Sequence, residues 1–182
     1  LPKHDNVKGQ NIISTIGSLT FFDQSDINHS FKLIKKKPFV FNKPTVFLLL
    51  GGNNKRYNPS YSDFSRFLIE VKKSVEGINA NLIISTSRRT PKKVSKIIKV
   101  LFKNYHNDYF LINEKDKHYY PGILKKTNFA IVTSDSVNMV SEISNTKIPL
   151  FVGYLRKENG KISEFHKSLE KNNYSRTFKG EL

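Results

Sequence analysis

Cysteine and tryptophan are absent from this 182-residue chain, methionine occurs once, and alanine stands only at Ala80 and Ala130. Without cysteine there is no disulfide framework, no thiolate metal site and no cysteine nucleophile. Acidic residues are scarce, 15 against 31 Lys and Arg, which leaves a formal net charge of +16. Long hydrophobic runs are missing too. The longest, Val46 to Leu50, falls far short of the ~20 residues that span a bilayer. The histidines at 4, 29, 106, 118 and 166 show no metal-ligand spacing, so no metal site is expected. No Ser/His/Asp order and no nucleophile elbow stands out. Internal repeats and low-complexity segments are lacking. There is no signal-peptide pattern at the start, and Leu1 is not an initiator methionine, so the chain reads as an excised piece.

What is present is a foldable domain. Hydrophobic residues make up 37 per cent, with 14 Phe and 8 Tyr, enough apolar surface for a core. The length suits one domain, or one domain plus part of a neighbour. The charge suits nucleic acid or an anionic membrane. Yet the surplus is mostly Lys, and Asn and Ile are abundant, the drift that AT-rich codon usage produces. No nucleic-acid recognition motif appears. The expectation is no nucleic-acid partner and at most weak attraction to anionic membrane.

The first 44 residues differ from the rest. Asn11 to Thr20 is β-prone, and Phe31, Leu33 and Ile34 lead into Lys35-Lys36-Lys37-Pro38, a solvated connector by composition. From Thr45 the pattern becomes regular. Val46 to Leu50 reads as a strand buried on both faces. Phe64, Phe67, Leu68, Val71 and Val75 then form a helical stripe, opened by the capping pair Ser60 and Asp63. Asn81 to Thr86 is a second strand. Thr90-Pro91 predicts an N-cap and first-turn proline for a helix carrying Val94, Ile97, Ile98 and Leu101. Further strands are expected at Tyr109–Ile112, Phe129–Val132 and Pro149–Val152. Helices are expected at about 121–126, at 134–144 and around Ile162, Phe165 and Leu169. Strands alternating with helices imply an α/β fold, a parallel Rossmann-like sheet with helices on both faces. Residues 45–182 form that domain in this reading. Residues 1–44 are the tail of a preceding domain and a linker.

Ligands of open α/β sheets sit beyond the carboxyl ends of the strands. After the first strand come Gly51, Gly52, Asn53, Asn54, Lys55, Arg56 and Tyr57. Glycines let backbone N–H groups approach an anion; the alternative is a turn that needs positive φ. The loop lacks the Gly-Lys-Ser/Thr of NTPase phosphate loops and the GxGxxG of dinucleotide sites. After the second strand, Ser85, Ser87, Arg88, Arg89 and Thr90 combine hydroxyls, guanidinium forks and a helix start, all anion-binding devices. Solvated arginines beside a capped helix are the plain alternative. After the fourth strand, Asp135, Asn138 and Glu142 share one helical face at 100° per residue. A carboxylate there can accept from ribose hydroxyls, or the face is simply solvated. His4-Asp5 is either a hydrogen-bonded pair or part of a site. Tyr119 and Tyr120 read as packing residues, though a loop tyrosine can stack on a base.

Several motifs together resemble a known family. Pro2-Lys3-His4-Asp5, Gly9-Gln10-Asn11 and Ile16-Gly17-Ser18-Leu19 are similar to its PxHD…G-N…G-A-L segment. Gly51-Gly52 with Lys55 and Tyr57 resembles its GG-x-x-K-x-Y loop, and residues 85–91 resemble S-x-S-R-R-T-P. Residues 133–142 resemble T-x-D-S-x-x-M-x-x-E, with Met139 and Glu142 at the last two fixed positions. Phe165-His166, Leu169 and Arg176 to Gly180 resemble its terminal F-H…L…R-x-F-x-G. By these motifs the chain is identified as a member of the mitochondrial-fission ELM-like family. That family is widespread in bacteria and is described as nucleoside-diphosphate-sugar epimerases by prediction.

The resemblance implies the C-terminal half of a GT-B glycosyltransferase-like architecture, binding a nucleoside-diphosphate sugar as substrate, with no cofactor and no metal. It implies a binding set of Gly51, Gly52, Asn53, Lys55, Tyr57, Ser85, Ser87, Arg88, Arg89, Thr90, Ser134, Asp135, Ser136, Met139 and Glu142. Within it Glu142 would contact the ribose, and Gly52, Asn53, Ser87, Arg88, Ser134 and Ser136 would line the diphosphate pocket. Asn53-Asn54 departs from the smaller or hydroxyl residue expected in that loop. Most of the N-terminal domain, with the acceptor and any catalytic base, would lie outside the chain; His4 and Asp5 would sit near the cleft. The implied reaction is transfer of a sugar to an unknown acceptor, with epimerisation or a non-catalytic adaptor role for a dynamin-like protein as alternatives. The implied location is the cytoplasm, with weak contact to the inner membrane.

Overall fold

The computed structural model describes residues 2–5, 7–19, 22–34, 41–105, 109–112 and 114–182. The Lys35–Lys37 connector and His106 lie outside the described residues. Among them the sheet has six strands: β1 (Thr45–Leu50), β2 (Asn81–Thr86), β3 (Tyr109–Ile112), β4 (Phe129–Thr133), β5 (Leu150–Gly153) and β6 (Arg176–Thr177). Their order is β3-β2-β1-β4-β5-β6, and every pairing is parallel. The helices are α1 (Gln24–Ile34), α2 (Tyr61–Gly77), α3 (Lys92–Leu101), α4 (Tyr120–Leu124), α5 (Val137–Ser144) and α6 (Gly160–Lys171).

β1 shows why the sheet is covered on both faces. All six of its residues are buried. Val46, Leu48 and Leu50 pack with Phe64, Leu68 and Val71 of α2 and Val94 and Ile98 of α3. The alternate residues Phe47 and Leu49 pack with Phe31 and Ile34 of α1, Ile123 of α4, Val140 of α5 and Phe165 of α6. A strand with period-2 side chains and two apolar layers must be apolar throughout.

α2 begins where the capping pair predicts. Ser60 accepts from the Asp63 N–H while the Asp63 carboxylate accepts from the Ser60 N–H at 2.8 Å. That bond and the Ser60 hydroxyl hold the Asp63 carboxyl below its ordinary value.

Four readings change. Thr90 does not cap α3. Pro91 holds the cap position without a side-chain bond, because the Thr90 hydroxyl turns back to the carbonyls of Leu50, at 2.9 Å, and Gly51. α5 starts at Val137, later than 134, since Thr133 to Ser136 are committed to a buried turn. The described part of the β-prone segment 11–20 forms only an isolated bridge, Pro2 with Thr15, and α1, a helix the sequence reading did not contain, follows it. β6 is a sixth strand of two residues, too short to show periodicity. It is held by the Phe178 N–H on the Val152 carbonyl at 2.9 Å and by Phe178 packing edge-on to Phe67.

Among the described residues before 35, the 3-10 turn Lys3–Asp5 and α1 lie against this sheet domain. Ser30 of α1 bonds the His118 carbonyl at 2.6 Å and accepts the Gly122 N–H at 2.9 Å. A Cβ on Gly122 would strike the α1 backbone at Ser30 and Phe31, so glycine there is required by helix-to-helix contact.

Candidate functional site

The strand order reverses at β1 and β4, so their carboxyl ends flank the topological switch point, where open α/β sheets bind ligands. The loops after β1, β2 and β4 meet there and are sewn together. Gly51 N–H donates to Thr133 Oγ1 at 2.7 Å, and that hydroxyl donates to Asp135 Oδ1 at 2.8 Å. Gly52 N–H donates to Asp135 Oδ2 at 2.9 Å, and Arg89 Nη2 reaches the same oxygen at 3.0 Å. Asn53 N–H donates to the Arg89 carbonyl at 3.2 Å, and Asn54 N–H to the Tyr57 carbonyl at 2.8 Å. Ser87 N–H donates to the Leu50 carbonyl at 2.9 Å.

This arrangement gives the two glycines a specific job. Neither adopts a positive φ. A Cβ on Gly51 would overlap the Asp135 carboxylate, and one on Gly52 would overlap the Arg89 carbonyl. The glycines allow close approach of protein to protein. The four successive N–H groups from Gly51 to Asn54 are all bonded within the protein, so this loop does not offer them to an anion.

Asp135 has a side chain with no exposed surface. Burial raises its carboxyl pKa, against the lowering effects of Gly52 N–H, Thr133 and Arg89. Arg89 is therefore engaged by Asp135. Its neighbour Arg88 is exposed and makes no hydrogen bond or ion pair among the described residues. Lys55 is also exposed on the glycine loop. The two adjacent arginines thus divide, one tied to the fold and one facing outward.

Ser134 points inward. It is fully buried, its hydroxyl donates to Glu158 Oε1 at 3.0 Å, and its carbonyl bonds His166 Nε2 at 2.8 Å. A carbonyl partner requires the proton on Nε2. Burial raises the Glu158 carboxyl. Tyr57, also buried, accepts the Arg156 N–H at 2.8 Å and lies 3.5 Å from the Ser134 hydroxyl. Ser85 and Ser136 are buried, and Met139 packs against the core. Ser136 makes no side-chain cap bond, so the first-turn N–H groups of α5 are not satisfied by that residue.

Glu142 lies on α5, about 7–8 Å of helix rise beyond Val137. It is half-buried, and burial raises its carboxyl above the ordinary value. Asp135, which the spacing put on one helical face with Asn138 and Glu142, precedes the helix and is committed to the glycine loop. Asn138 accepts from the Ser18 hydroxyl at 2.9 Å, and Ser141 from the Ser18 N–H at 2.9 Å. His4-Asp5 occupies a single 3-10 turn, Lys3–Asp5, against α6, where Lys161 Nζ reaches the Asp5 carbonyl at 3.4 Å. Sequence reasoning missed Glu158 and His166 as parts of this region and took Tyr120 as a packing residue, with base stacking as the alternative. His166 carried a signal in the terminal F-H pair; Glu158 carried none. Among the described residues, no group of three or more His, Asp or Glu side chains is placed to hold a metal ion.

The order of strands and the polar residues gathered at the switch point define a Rossmann-like α/β domain of the kind found in GT-B architectures. The family described as Mitochondrial fission ELM1 matches residues 1–182, and the chain belongs to that family. The mitochondrial fission protein ELM1 of Arabidopsis thaliana is 28% identical over 173 residues, which cover 93% of this chain and 39% of that protein. The uncharacterized protein RP120 of Rickettsia prowazekii (strain Madrid E) is 31% identical over 156 residues, covering 84% of this chain and 43% of that one. The chain thus spans about two fifths of the length of these relatives. A solved structure from Listeria monocytogenes, provisionally described as a UDP-N-acetylglucosamine 2-epimerase, superposes with a TM-score of 0.55 at 11% identity. It covers 92% of this chain and 38% of that one, and the likeness is one of fold.

Proposed function

We propose that this domain binds a nucleoside-diphosphate sugar at the carboxyl end of β1 and β4, as the donor half of a glycosyltransferase-like enzyme. One observation carries the reading. The amino end of α5, without a side-chain cap, opens at the switch point, and the same helix carries a half-buried carboxylate, Glu142, about one and a half turns on. A helix start favours phosphate, and a carboxylate accepts from a ribose diol. The outward Arg88 supplies a guanidinium for the diphosphate and would stabilise it as a leaving group. The buried Asp135, Thr133 and Ser134, with Arg89 paired to Asp135 from the surface, hold the loops in place.

Calorimetric titration of the full-length protein with UDP, GDP and their sugar derivatives tests this. Millimolar or tighter binding is expected. Arg88→Ala should weaken it roughly ten- to a hundredfold, the ~1.5–3 kcal/mol of a hydrogen bond to a charged group. Absence of nucleotide binding overturns the reading. Product analysis separates transfer, which needs an acceptor, from epimerisation, which does not. A dynamin-like partner captured by a protein that binds no sugar nucleotide would instead favour an adaptor.

A second surface bears on location. No helix among the described residues is long and apolar enough to cross a membrane. α3 carries Lys92, Lys93, Lys96 and Lys99 exposed, no acidic residue, and Val100 76% exposed between them. Lys92, Lys96, Lys99 and Val100 fall within about a third of the helix circumference. We assign this face to weak contact with an anionic bilayer.

A further inference from the structure

Tyr120 has no role in the nucleotide reading above, yet it is the one described side chain bonded to the Glu142 carboxylate. Its phenol donates to Glu142 Oε2 at 2.8 Å. Its ring lies 5.4 Å from Phe47 of β1 and 5.5 Å from Phe22. Phe47 is fully buried in the sheet, so the phenol is braced by the core. α4, which begins at Tyr120, is clamped in turn by α1 through Ser30 and Gly122. Burial, with the nearby Glu142 carboxylate, pushes the Tyr120 phenol well above the usual tyrosine range, so it stays a donor at neutral pH.

The consequence is an asymmetric carboxylate. Oε2 is occupied by Tyr120, while Oε1 has no partner among the described residues. Along the same helix Asn138 and Ser141 already accept from Ser18. Glu142 Oε1 is thus a carboxylate acceptor that α5 leaves open beyond its first turn among the described residues. A carboxylate free to rotate can turn to water when a ligand hydroxyl is missing. One held by a braced phenol cannot, and so leaves an acceptor poorly satisfied.

We propose that Tyr120 is a positioning residue that holds Glu142 with Oε1 directed at the sugar hydroxyls of the nucleotide, so that the site selects ribonucleoside over 2′-deoxyribonucleoside diphosphates. The proposal rests on the nucleotide reading above. Phenylalanine at 120 keeps the ring and its contacts with Phe47 and Phe22 and removes only the bond to Glu142.

The test is a comparison of Kd values for UDP, GDP and their 2′-deoxy counterparts on the full-length protein, its Tyr120→Phe and Glu142→Ala variants, and the double variant. The wild type should prefer the ribonucleotide roughly tenfold or more. Tyr120→Phe should lower that ratio at least severalfold while leaving 2′-deoxynucleotide affinity within about twofold. In the Glu142→Ala background the same change should leave the ratio unaltered, the non-additivity expected of a residue acting through another. An undiminished ratio in Tyr120→Phe overturns the inference and leaves nucleotide binding intact. Equal losses for ribo- and deoxynucleotides overturn it too, since they mark a purely structural role. A wild type that binds neither UDP nor GDP overturns the nucleotide reading and this inference with it.

Discussion

Replacing Asp135 by alanine removes the acceptor for three donors at once: the Gly52 N–H, the Thr133 hydroxyl and the Arg89 guanidinium. Arg89 is 39% exposed and can turn to water, but Gly52 is buried. The loss is expected at about 1–3 kcal/mol, the cost of an unpartnered buried N–H. For a domain of this size that lowers Tm by roughly 2–4 °C per kcal/mol, measurable by calorimetry. Arg88→Ala should leave Tm unchanged, because Arg88 holds nothing in the fold. The two arginines, adjacent in sequence, therefore separate by assay: Arg89→Ala lowers stability and Arg88→Ala lowers nucleotide affinity. The pH dependence of Asp135 has a definite sign. Its folded pKa is raised, so its contribution to stability is fully present below the unfolded value and is lost as pH rises through the folded one. Wild type should gain stability relative to Asp135→Asn as pH falls from neutral toward the ordinary carboxylate range, followed by denaturant midpoints at fixed ionic strength. No such gain would mean that the carboxylate is not desolvated as described.

At the scale of the element, α3 gives the most direct test. Changing Lys92, Lys96 and Lys99 to glutamine should abolish co-sedimentation with phosphatidylglycerol vesicles at low salt without shifting Tm, since all three are exposed. Phosphatidylcholine vesicles should not retain even the wild type. Salt-sensitive binding to duplex DNA in place of vesicles would assign the face to nucleic acid. The elements were legible in proportion to their local determinants. β1 was visible as a continuous apolar run and α2 through Ser60 and Asp63. α1 was not, because its buried residues Ser30, Phe31 and Ile34 are few and are set by contact with α4. The start of α5 was misplaced by three residues because Asp135, a good helix-start residue, is taken by Gly52 and Arg89, far away in sequence.

For the molecule as a whole, a net charge of +16 repels itself across the folded surface more strongly than across the expanded chain. Raising ionic strength from about 0.01 M to 0.15 M shortens the screening length from roughly 30 Å to 8 Å, so Tm should rise with salt. A flat Tm would mean that the lysines are spaced widely enough to ignore one another. The sequence by itself determined the class of fold, the buried strands and the pool of polar residues beyond their carboxyl ends, because apolar periodicity and loop composition are local properties. It also carried, through its motifs, the family to which the chain belongs. Only the tertiary structure decided how that pool divides. Asp135 and Arg89 are spent on each other, Ser134 on Glu158 and His166, and the glycine N–H groups on Thr133 and Asp135, while Arg88 is exposed and one oxygen of Glu142 has no partner among the described residues. The physical reason is that a hydrogen bond depends on which groups the sheet brings within about 3 Å. The parallel pairing of β1 with β4 at the switch point sets that distance, and no spacing along the chain does.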